Sequence, residues 1–114
     1  MKPLNDLYVS LRSEPPAGAS VWVHSAGLLT GGGSCRFAFA PAGHVGPHLI
    51  LSGQGVVRYA GTEQGVTAGD MFCLLPGVTY EYCEDPLRPW RYAWLHLEGT
   101  GAVEFAAACG FTPT

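Results

Sequence analysis

The chain has 114 residues, which is enough for one domain with a single hydrophobic core and too few for two. Its 6 Lys and Arg against 9 Asp and Glu give a net charge of −3 with no basic stripe, so the chain alone is a poor partner for nucleic acid. No signal segment and no apolar run near the ~18 residues of a membrane span occur, which predicts a cytoplasmic protein without a membrane partner.

Glycine and proline determine the predicted fold class. The 16 Gly and 9 Pro are spread along the chain without a period and exclude long helices over most of it. Val, Leu and aromatic residues fill the intervals between them, as in strands. The composition therefore predicts an all-β domain.

The first half of the chain alternates apolar runs with turn residues. Residues 1–20 contain a short apolar patch and a Pro-Pro-Ala-Gly break, which predicts an N-terminal arm that lies on the body. Strands are predicted at VWVHSAGLL from Val21, at SCRFAFA and at HLIL, with the turn-rich PAGHVGP between the last two. SGQG, from Ser52 to Gly55, predicts a β-hairpin between HLIL and VVRYA.

The second half continues in the same way until Gly99. GTEQG and Gly69-Asp70 predict turns into VTA and MFCLL, and WRYAWLHLE is the longest aromatic strand. The acidic residues Glu81, Glu84 and Asp85 are predicted to lie in a solvated loop. GAVEFAAACG predicts a helix that ends at a C′ glycine. Antiparallel strands at intervals of roughly ten residues indicate a sandwich or barrel.

The four cysteines are predicted to be free. They are spaced too widely for a zinc knuckle or a CxxC redox pair. Three of them lie in apolar or aromatic stretches, which are typical of buried thiols. Disulfides and cysteine-bound metal are therefore not expected at Cys35, Cys73, Cys83 and Cys109.

Residues 49–99 carry a set of motifs in a specific order: a G-x-G turn, G-D before an apolar strand, an LPG turn, and a tryptophan-rich strand that ends at a glycine. In this order they resemble the effector-binding domain of the AraC family of bacterial transcription regulators. The resemblance implies a cupin-like double-stranded β-helix (jelly-roll) barrel over residues 21–99. It also implies the start of a C-terminal helical and dimerisation region over residues 100–114, with the DNA-binding domain absent from this chain.

The positions where cupins carry metal ligands hold residues that bind no metal here. Counting from Gly69, Tyr80 falls at the place of the histidine of the second cupin motif. Counting back from Gly53, Gly46 falls at the place of the glutamate of the first motif. The places of its two histidines fall on Ala40 and Ala42, or on Phe39 and Pro41. A divalent ion in such a barrel needs about three imidazole or carboxylate donors, so no metal cofactor is predicted.

Strand alternation predicts which side chains point into the barrel, because residues two apart share a face. The expected inward residues include Arg36, Ala38 and His48, Tyr80 and Tyr82, and Tyr92, Trp94 and His96. Such a set suits a small-molecule site, since rings stack on a sugar and Arg or His binds hydroxyls or a carboxylate. The predicted ligand-binding residues are Trp94, Tyr82, Tyr92, Tyr80, Arg36 and His48.

The resemblance implies specific roles for some of these residues. In the family member that senses arabinose, the arm covers a sugar that stacks on a tryptophan of the last strand, and Trp94 matches that residue. Tyr82 and Tyr92 match other ligand-contacting positions. Arg36 has the alternatives of a ligand contact, an exposed position at the rim, or an ion pair with a carboxylate such as Glu98 or Glu81. His96 is expected to be a hydrogen-bonded structural residue, and His24 and His44 are given no role.

The predicted function is therefore that of an effector-sensing and dimerising domain of a transcription regulator, without catalytic residues. A small molecule, expected to be a carbohydrate, would bind in the barrel of a homodimer and shift the DNA affinity of a separate helix-turn-helix domain. The alternative is a stand-alone metal-dependent cupin enzyme, an isomerase or dioxygenase. That alternative requires His44, His48 and His96 to converge on one metal.

Overall fold

The structure is a computed structural model and describes residues 6–11, 14 and 16–111, so part of the predicted arm lies outside the described residues. The described residues form nine strands and one helix. These are β1 (Leu7–Ser10), β2 (Trp22–Thr30), β3 (Cys35–Phe39), β4 (His44–Ser52), β5 (Gln54–Tyr59), β6 (Thr62–Thr67), β7 (Met71–Leu74), β8 (Thr79–Glu84), β9 (Arg91–Glu98) and α1 (Ala102–Ala108). The all-β prediction is confirmed. No described helix has the length and apolar character of a membrane span.

The strands form two antiparallel sheets that face each other. One sheet has the order β1-β2-β9-β4-β7 and the other the order β3-β8-β5-β6. The pairing of β9 with β2 and with β4 joins strands that are distant in the sequence. This arrangement is the predicted jelly roll.

The predicted hairpin at SGQG is wrong, because the two strands around it belong to different sheets. Gly53, at φ +87°, is the corner where the chain crosses from β4 to β5. A Cβ there would collide with the carbonyl of Pro89, so the corner requires glycine. The hairpin in this region joins β5 to β6 through Ala60 and Gly61, both at positive φ, as two-residue hairpin turns require.

Most of the predicted turn PAGHVGP is also wrong, because β4 begins at His44 and includes Val45, Gly46 and Pro47. Only Ala42 and Gly43 form a turn. β4 pairs with β9 at Val45, and the pairing resumes at His48. The gap coincides with Pro47, whose nitrogen carries no hydrogen for the ladder.

Two apolar clusters hold the domain together. The larger cluster fills part of the space between the sheets and consists of Ile50, Val57, Val66, Tyr80, Tyr82, Trp90 and Tyr92. The smaller cluster lies on the other face of the five-stranded sheet, where α1 packs, and consists of Val45, Cys73, Leu75, Leu97, Ala102 and Ala106. Gly110, at φ +95°, follows the C-cap Cys109, so the predicted C′ glycine is confirmed.

The expectation of four free cysteines is wrong for two of them. Cys35 on β3 lies directly opposite Cys83 on β8 in the antiparallel register, and the two form a disulfide. Cys73 and Cys109 are free. The sequence could not reveal the bond, because the two residues are separated by 48 positions and only the pairing of β3 with β8 brings them together.

Candidate functional site

A row of inward-facing residues crosses the five-stranded sheet. The register pairs Tyr8 with Gly27, Gly27 with Trp94, Trp94 with His48, and His48 with Phe72. The predicted inward orientation of Trp94 and His48 is therefore confirmed. The row brings the strand nearest the N-terminus, β1, to the same face as the aromatic strand β9.

Trp94 lies against a glycine and under a tyrosine. Gly27 leaves room for the indole, since a Cβ there would collide with its Nε1 and adjacent ring atoms. The Tyr8 ring centroid lies 5.7 Å from that of Trp94, although Tyr8 itself is largely exposed. Trp94 Nε1 is buried and has no hydrogen-bond partner among the described residues.

Arg36 crosses the interior from the opposite sheet. Its Nη2 donates a hydrogen bond of 2.6 Å to the hydroxyl of Tyr92, and its guanidinium lies 4.8 Å from the ring centroid of Tyr82. The expected ion pair with a carboxylate is present, but its partner is Glu84, at 3.7 Å, and not Glu98 or Glu81. The Arg36 side chain is 39% exposed, so it also reaches the rim. Within the described chain, Arg36 Nε is buried without a hydrogen-bond partner.

Glu84 is the inward residue that the sequence reasoning missed. It was expected in a solvated loop, yet it is 5% exposed. Its Oε1 accepts a 2.7 Å hydrogen bond from the backbone N–H of Trp90, and a Cβ at Gly31 would collide with its carboxylate. Alternation could have found it, because Glu84 is two residues past the inward Tyr82.

Tyr80 is set apart from the residues around Arg36. Its hydroxyl accepts a 3.2 Å hydrogen bond from the backbone N–H of Leu75, and its ring lies 5.0 Å from that of Tyr59. Tyr82 and Tyr92, in contrast, both contact Arg36 and both lie beside His48. Burial raises the pKa of all three tyrosine hydroxyls, so each remains a neutral phenol at neutral pH.

His48 is neutral and fixed in one tautomer. Its Nδ1 donates a 2.8 Å hydrogen bond to the carbonyl of Gly46, and its ring stacks on Phe72 at 4.7 Å. Burial, together with the positive charge of Arg36, lowers the pKa of His48 to about 4, although the Gly46 hydrogen bond opposes the shift. His48 therefore offers an uncharged ring to the interior at neutral pH.

A cavity of about 260 Å³ lies beside this group. Its lining includes Ala40, Gly46, His48, Trp94 and His96. Ala40 and Gly46 fall where cupins carry metal ligands, and their small size leaves space where those ligands would stand. The structure thus places two of the six predicted ligand-binding residues, Trp94 and His48, on the wall of one cavity.

The three histidines that the enzyme alternative requires do not converge. His44 Nδ1 lies 2.6 Å from His96 Nε2, whereas His48 Nδ1 is bonded to the carbonyl of Gly46. His24 and Glu98 complete the group around His96 instead. Burial lowers the pKa of His96, and its His44 and His24 neighbours lower it further.

Comparison with known proteins adds a family assignment to this geometry. The family model described as the AraC-like ligand binding domain matches residues 34–113. The lactose operon transcription activator of Staphylococcus xylosus is 34% identical over 62 residues, which cover 54% of this chain and 22% of that protein. The MmsAB operon regulatory protein of Pseudomonas aeruginosa is 34% identical over 74 residues, which cover 59% of this chain and 24% of that protein. The chain spans about a quarter of the length of these relatives.

Solved structures with similar architecture are cupins and related proteins. YhaK from Escherichia coli matches with a TM-score of 0.68 and 17% identity over 83% of this chain and 45% of that chain. A cupin protein from Bacteroides fragilis matches with a TM-score of 0.60 and 17% identity over 90% of this chain and 84% of that chain. The Cnp3 cupin domain of Schizosaccharomyces pombe matches with a TM-score of 0.58 and 16% identity over 94% of this chain and 72% of that chain. These matches establish the fold alone, and the predicted cupin-like barrel is confirmed.

Proposed function

This chain belongs to the family of AraC-like ligand-binding domains, and from that premise we propose that it binds a small carbohydrate inside the barrel as the effector of a transcription regulator. The effector would modulate DNA binding by a helix-turn-helix domain outside these 114 residues. In this proposal the domain is a cytoplasmic sensor and not an enzyme. The two curated relatives, both regulators of operons by name, support that role.

The observation that carries the proposal concerns buried donors without acceptors, of which the described chain has three: Trp22 Nε1, Arg36 Nε and Trp94 Nε1. The last two belong to predicted ligand-binding residues. Trp94 Nε1 and Arg36 Nε lack partners among the described residues, and a buried donor without a hydrogen bond costs free energy. A ligand with several hydroxyl oxygens in the cavity would supply an acceptor to Trp94 Nε1 after a small shift of the indole. Arg36 does not line the cavity, and it would have to turn towards the ligand to find its acceptor there. The flat indole of Trp94 would pack on the apolar face of a sugar ring.

The size of the cavity favours a small ligand. Its volume of about 260 Å³ lies just below the ~300–1,000 Å³ of pockets that hold drug-sized molecules. A single sugar ring or a molecule of similar size suits that space. The name of the Staphylococcus xylosus relative, a lactose operon activator, also favours a carbohydrate.

The arm and the helix provide the route from ligand to DNA. Tyr8 on β1 lies over Trp94, so a ligand beside Trp94 would change how firmly β1 pairs with β2. Ligand binding would thereby shift the population of two arm states. On α1, Val103 and Phe105 are 44% and 50% exposed, which favours a homodimer contact through this region.

A thermal-stability screen tests the proposal. Pentoses, hexoses and their glycosides are added to the protein, and a ligand that binds only the folded state raises the melting midpoint with the logarithm of its concentration. Trp94→Ala should abolish the shift. Phe37→Ala, which removes an exposed ring on β3, should retain it.

Two outcomes would overturn the proposal. One is a screen in which no carbohydrate stabilises the wild type. The other is a shift that persists in Trp94→Ala. If Trp94→Ala does not fold, Tyr92→Phe serves in its place, because it keeps the ring and removes only the hydroxyl to which Arg36 donates.

A further inference from the structure

Four metal-ligating side chains meet at one end of the inner face of the five-stranded sheet. They come from three adjacent strands: His24 from β2, His96 and Glu98 from β9, and His44 from β4. We propose that His24, His44, His96 and Glu98 bind a divalent transition-metal ion of the Zn²⁺ class. The site lies outside the cupin metal positions, which fall on Gly46, Tyr80 and the pairs of non-ligating residues between 39 and 42.

A β-bulge creates the site. Val23 pairs with Leu97 and Ser25 pairs with His96, so β2 has one residue more than β9 at this point. His24 is the extra residue, and its ring lies 4.8 Å from that of His96. Bulges re-aim side chains and are enriched beside functional sites. Without the bulge, alternation would put His24 and Ser25 on opposite faces of β2.

The donor atoms surround one carboxylate oxygen. Glu98 Oε1 lies 3.4 Å from His44 Nδ1, 3.7 Å from His96 Nε2 and 4.0 Å from His24 Nε2. Ligands about 2.0–2.1 Å from a tetrahedral zinc are separated from one another by roughly 3.3 Å. These three distances are therefore near those of a zinc shell.

His24, His96 and Glu98 offer donor atoms that all lie within 4.8 Å of one another, a group that does not include His44. To complete a four-ligand shell, His44 must move towards His24, and His44 must separate from His96. His44 Nδ1 and His96 Nε2 are 2.6 Å apart, so a metal between them would replace their hydrogen bond and widen the gap by roughly 0.7 Å. Both side chains are about 30% exposed and can make that movement. The same exposure gives the ion a path from solvent.

A neighbouring hydroxyl orients one ligand. His24 Nδ1 lies 3.1 Å from Oγ of Ser25, which is buried, and this contact directs Nε2 towards Glu98. Metal-ligating histidines usually make such a bond through the second ring nitrogen. Three imidazoles and one carboxylate suit Zn²⁺, and four protein ligands form the closed shell of a structural site. The ion would tie β2, β9 and β4 together at this end of the sheet.

This inference goes beyond the proposed function. His44 and His96 also line the cavity proposed for the sugar, but metal binding can be measured without any effector, so the failure of one proposal can be distinguished from the failure of the other. The purified chain is stripped of metal with a chelator and titrated with Zn²⁺ against a competing indicator, without reductant. One Zn²⁺ per chain is expected. Loss of a residue that only hydrogen-bonds to a metal ligand weakens metal binding by roughly 10–100-fold. Glu98→Gln removes a direct ligand, so it should weaken Zn²⁺ binding by at least that factor.

Glu104→Gln is the matched control, since it neutralises an exposed carboxylate on α1. It should bind Zn²⁺ like the wild type. Equal affinities of Glu98→Gln and Glu104→Gln would overturn the proposal, as would a wild type that binds no Zn²⁺ at micromolar concentrations.

The absorption spectrum with Co²⁺ needs no variant and distinguishes this site from the other group of donors, Cys35, Glu81 and Cys83. Imidazole and carboxylate ligands should give visible bands without the near-ultraviolet charge-transfer band of a thiolate. A thiolate band in the wild type would overturn the proposal. If Glu98→Gln does not fold, His24→Gln replaces it in the titration, because this partly exposed side chain lies on the bulge.

Discussion

The Nη2 atom of Arg36 lies 2.6 Å from the hydroxyl oxygen of Tyr92, and this hydrogen bond connects the two sheets through the interior. Arg36 belongs to β3 in one sheet and Tyr92 to β9 in the other. The same guanidinium lies 3.7 Å from the buried carboxylate of Glu84. Arg36 therefore both crosslinks the barrel and compensates a buried negative charge.

Arg36→Met should lower the free energy of unfolding by about 1–3 kcal/mol, because it leaves the Glu84 carboxylate without its cation and Tyr92 without its donor. Urea unfolding measures the change. Arg58→Met is the control, since the contacts of Arg58 with Glu63, Glu81 and Cys83 Sγ are all exposed, and it should change stability little. Equal losses in the two variants would contradict a special role for Arg36.

The disulfide between Cys35 and Cys83 makes stability depend on redox conditions. The bond closes a loop across 48 positions, which corresponds to about 4 kcal/mol from the restricted unfolded chain. A reductant should therefore lower the urea midpoint of the wild type. Cys83→Ser should start from the lower midpoint and be insensitive to reductant.

Cys109→Ser is the matched control for this experiment, because Cys109 is free and exposed. It should respond to reductant like the wild type. A wild type whose midpoint does not change under reduction would show that the bond contributes nothing. In a reducing cytoplasm such a pair would cycle between the two states, as cytosolic disulfides usually do.

The pH dependence of stability should report on His48. Its pKa falls from 6.5 to about 4 on folding, so between these values the unfolded chain binds more protons than the folded chain. Stability then decreases as the pH falls through that window, by about 3 kcal/mol in total, and levels off below pH 4. At neutral pH the full contribution is present.

His48→Asn isolates the pH-dependent contribution of His48 to stability, because the amide of Asn can still donate to the Gly46 carbonyl and does not titrate. The difference in unfolding free energy between wild type and variant should shrink from pH 7 to pH 4, while the other three histidines contribute to both. A difference independent of pH would mean that His48 is not buried as a neutral ring.

Local patterns in the sequence predicted the faces of the strands well. Alternation placed Trp94 and Tyr92 inward together, and also Arg36 and Tyr82 inward, because the direction of each side chain depends only on its own strand. The same rule, extended by two residues, would have identified Glu84. The Ala-rich helix and its terminal glycine were equally local signals.

Features that depend on which strands pair were not predictable in the same way. The corner at Gly53 resembles a hairpin until β4 and β5 are known to lie in different sheets. The bulge at His24 exists only relative to β9, so neither the meeting of His24 with His96 nor that of Cys35 with Cys83 could be inferred. Non-local register decides these contacts.

Gly27→Ala should displace the indole that forms the proposed sugar platform. A Cβ at Gly27 would collide with Nε1 and two ring carbons of Trp94. Because the ring is rigid, the whole indole would have to shift. Overpacking of this kind costs about 1–3 kcal/mol. The variant should therefore unfold at lower urea concentration, change its near-ultraviolet circular dichroism and lose any carbohydrate-induced stabilisation.

Gly65→Ala provides the comparison, because a Cβ at that position in β6 meets nothing within 4 Å. It should leave the spectrum unchanged and keep the stability equal to or slightly above that of the wild type, since alanine restricts the unfolded chain. If both variants behave alike, Trp94 is not held against Gly27. In that case the space that the Trp94 ring needs would not explain why β2 has a glycine at this position.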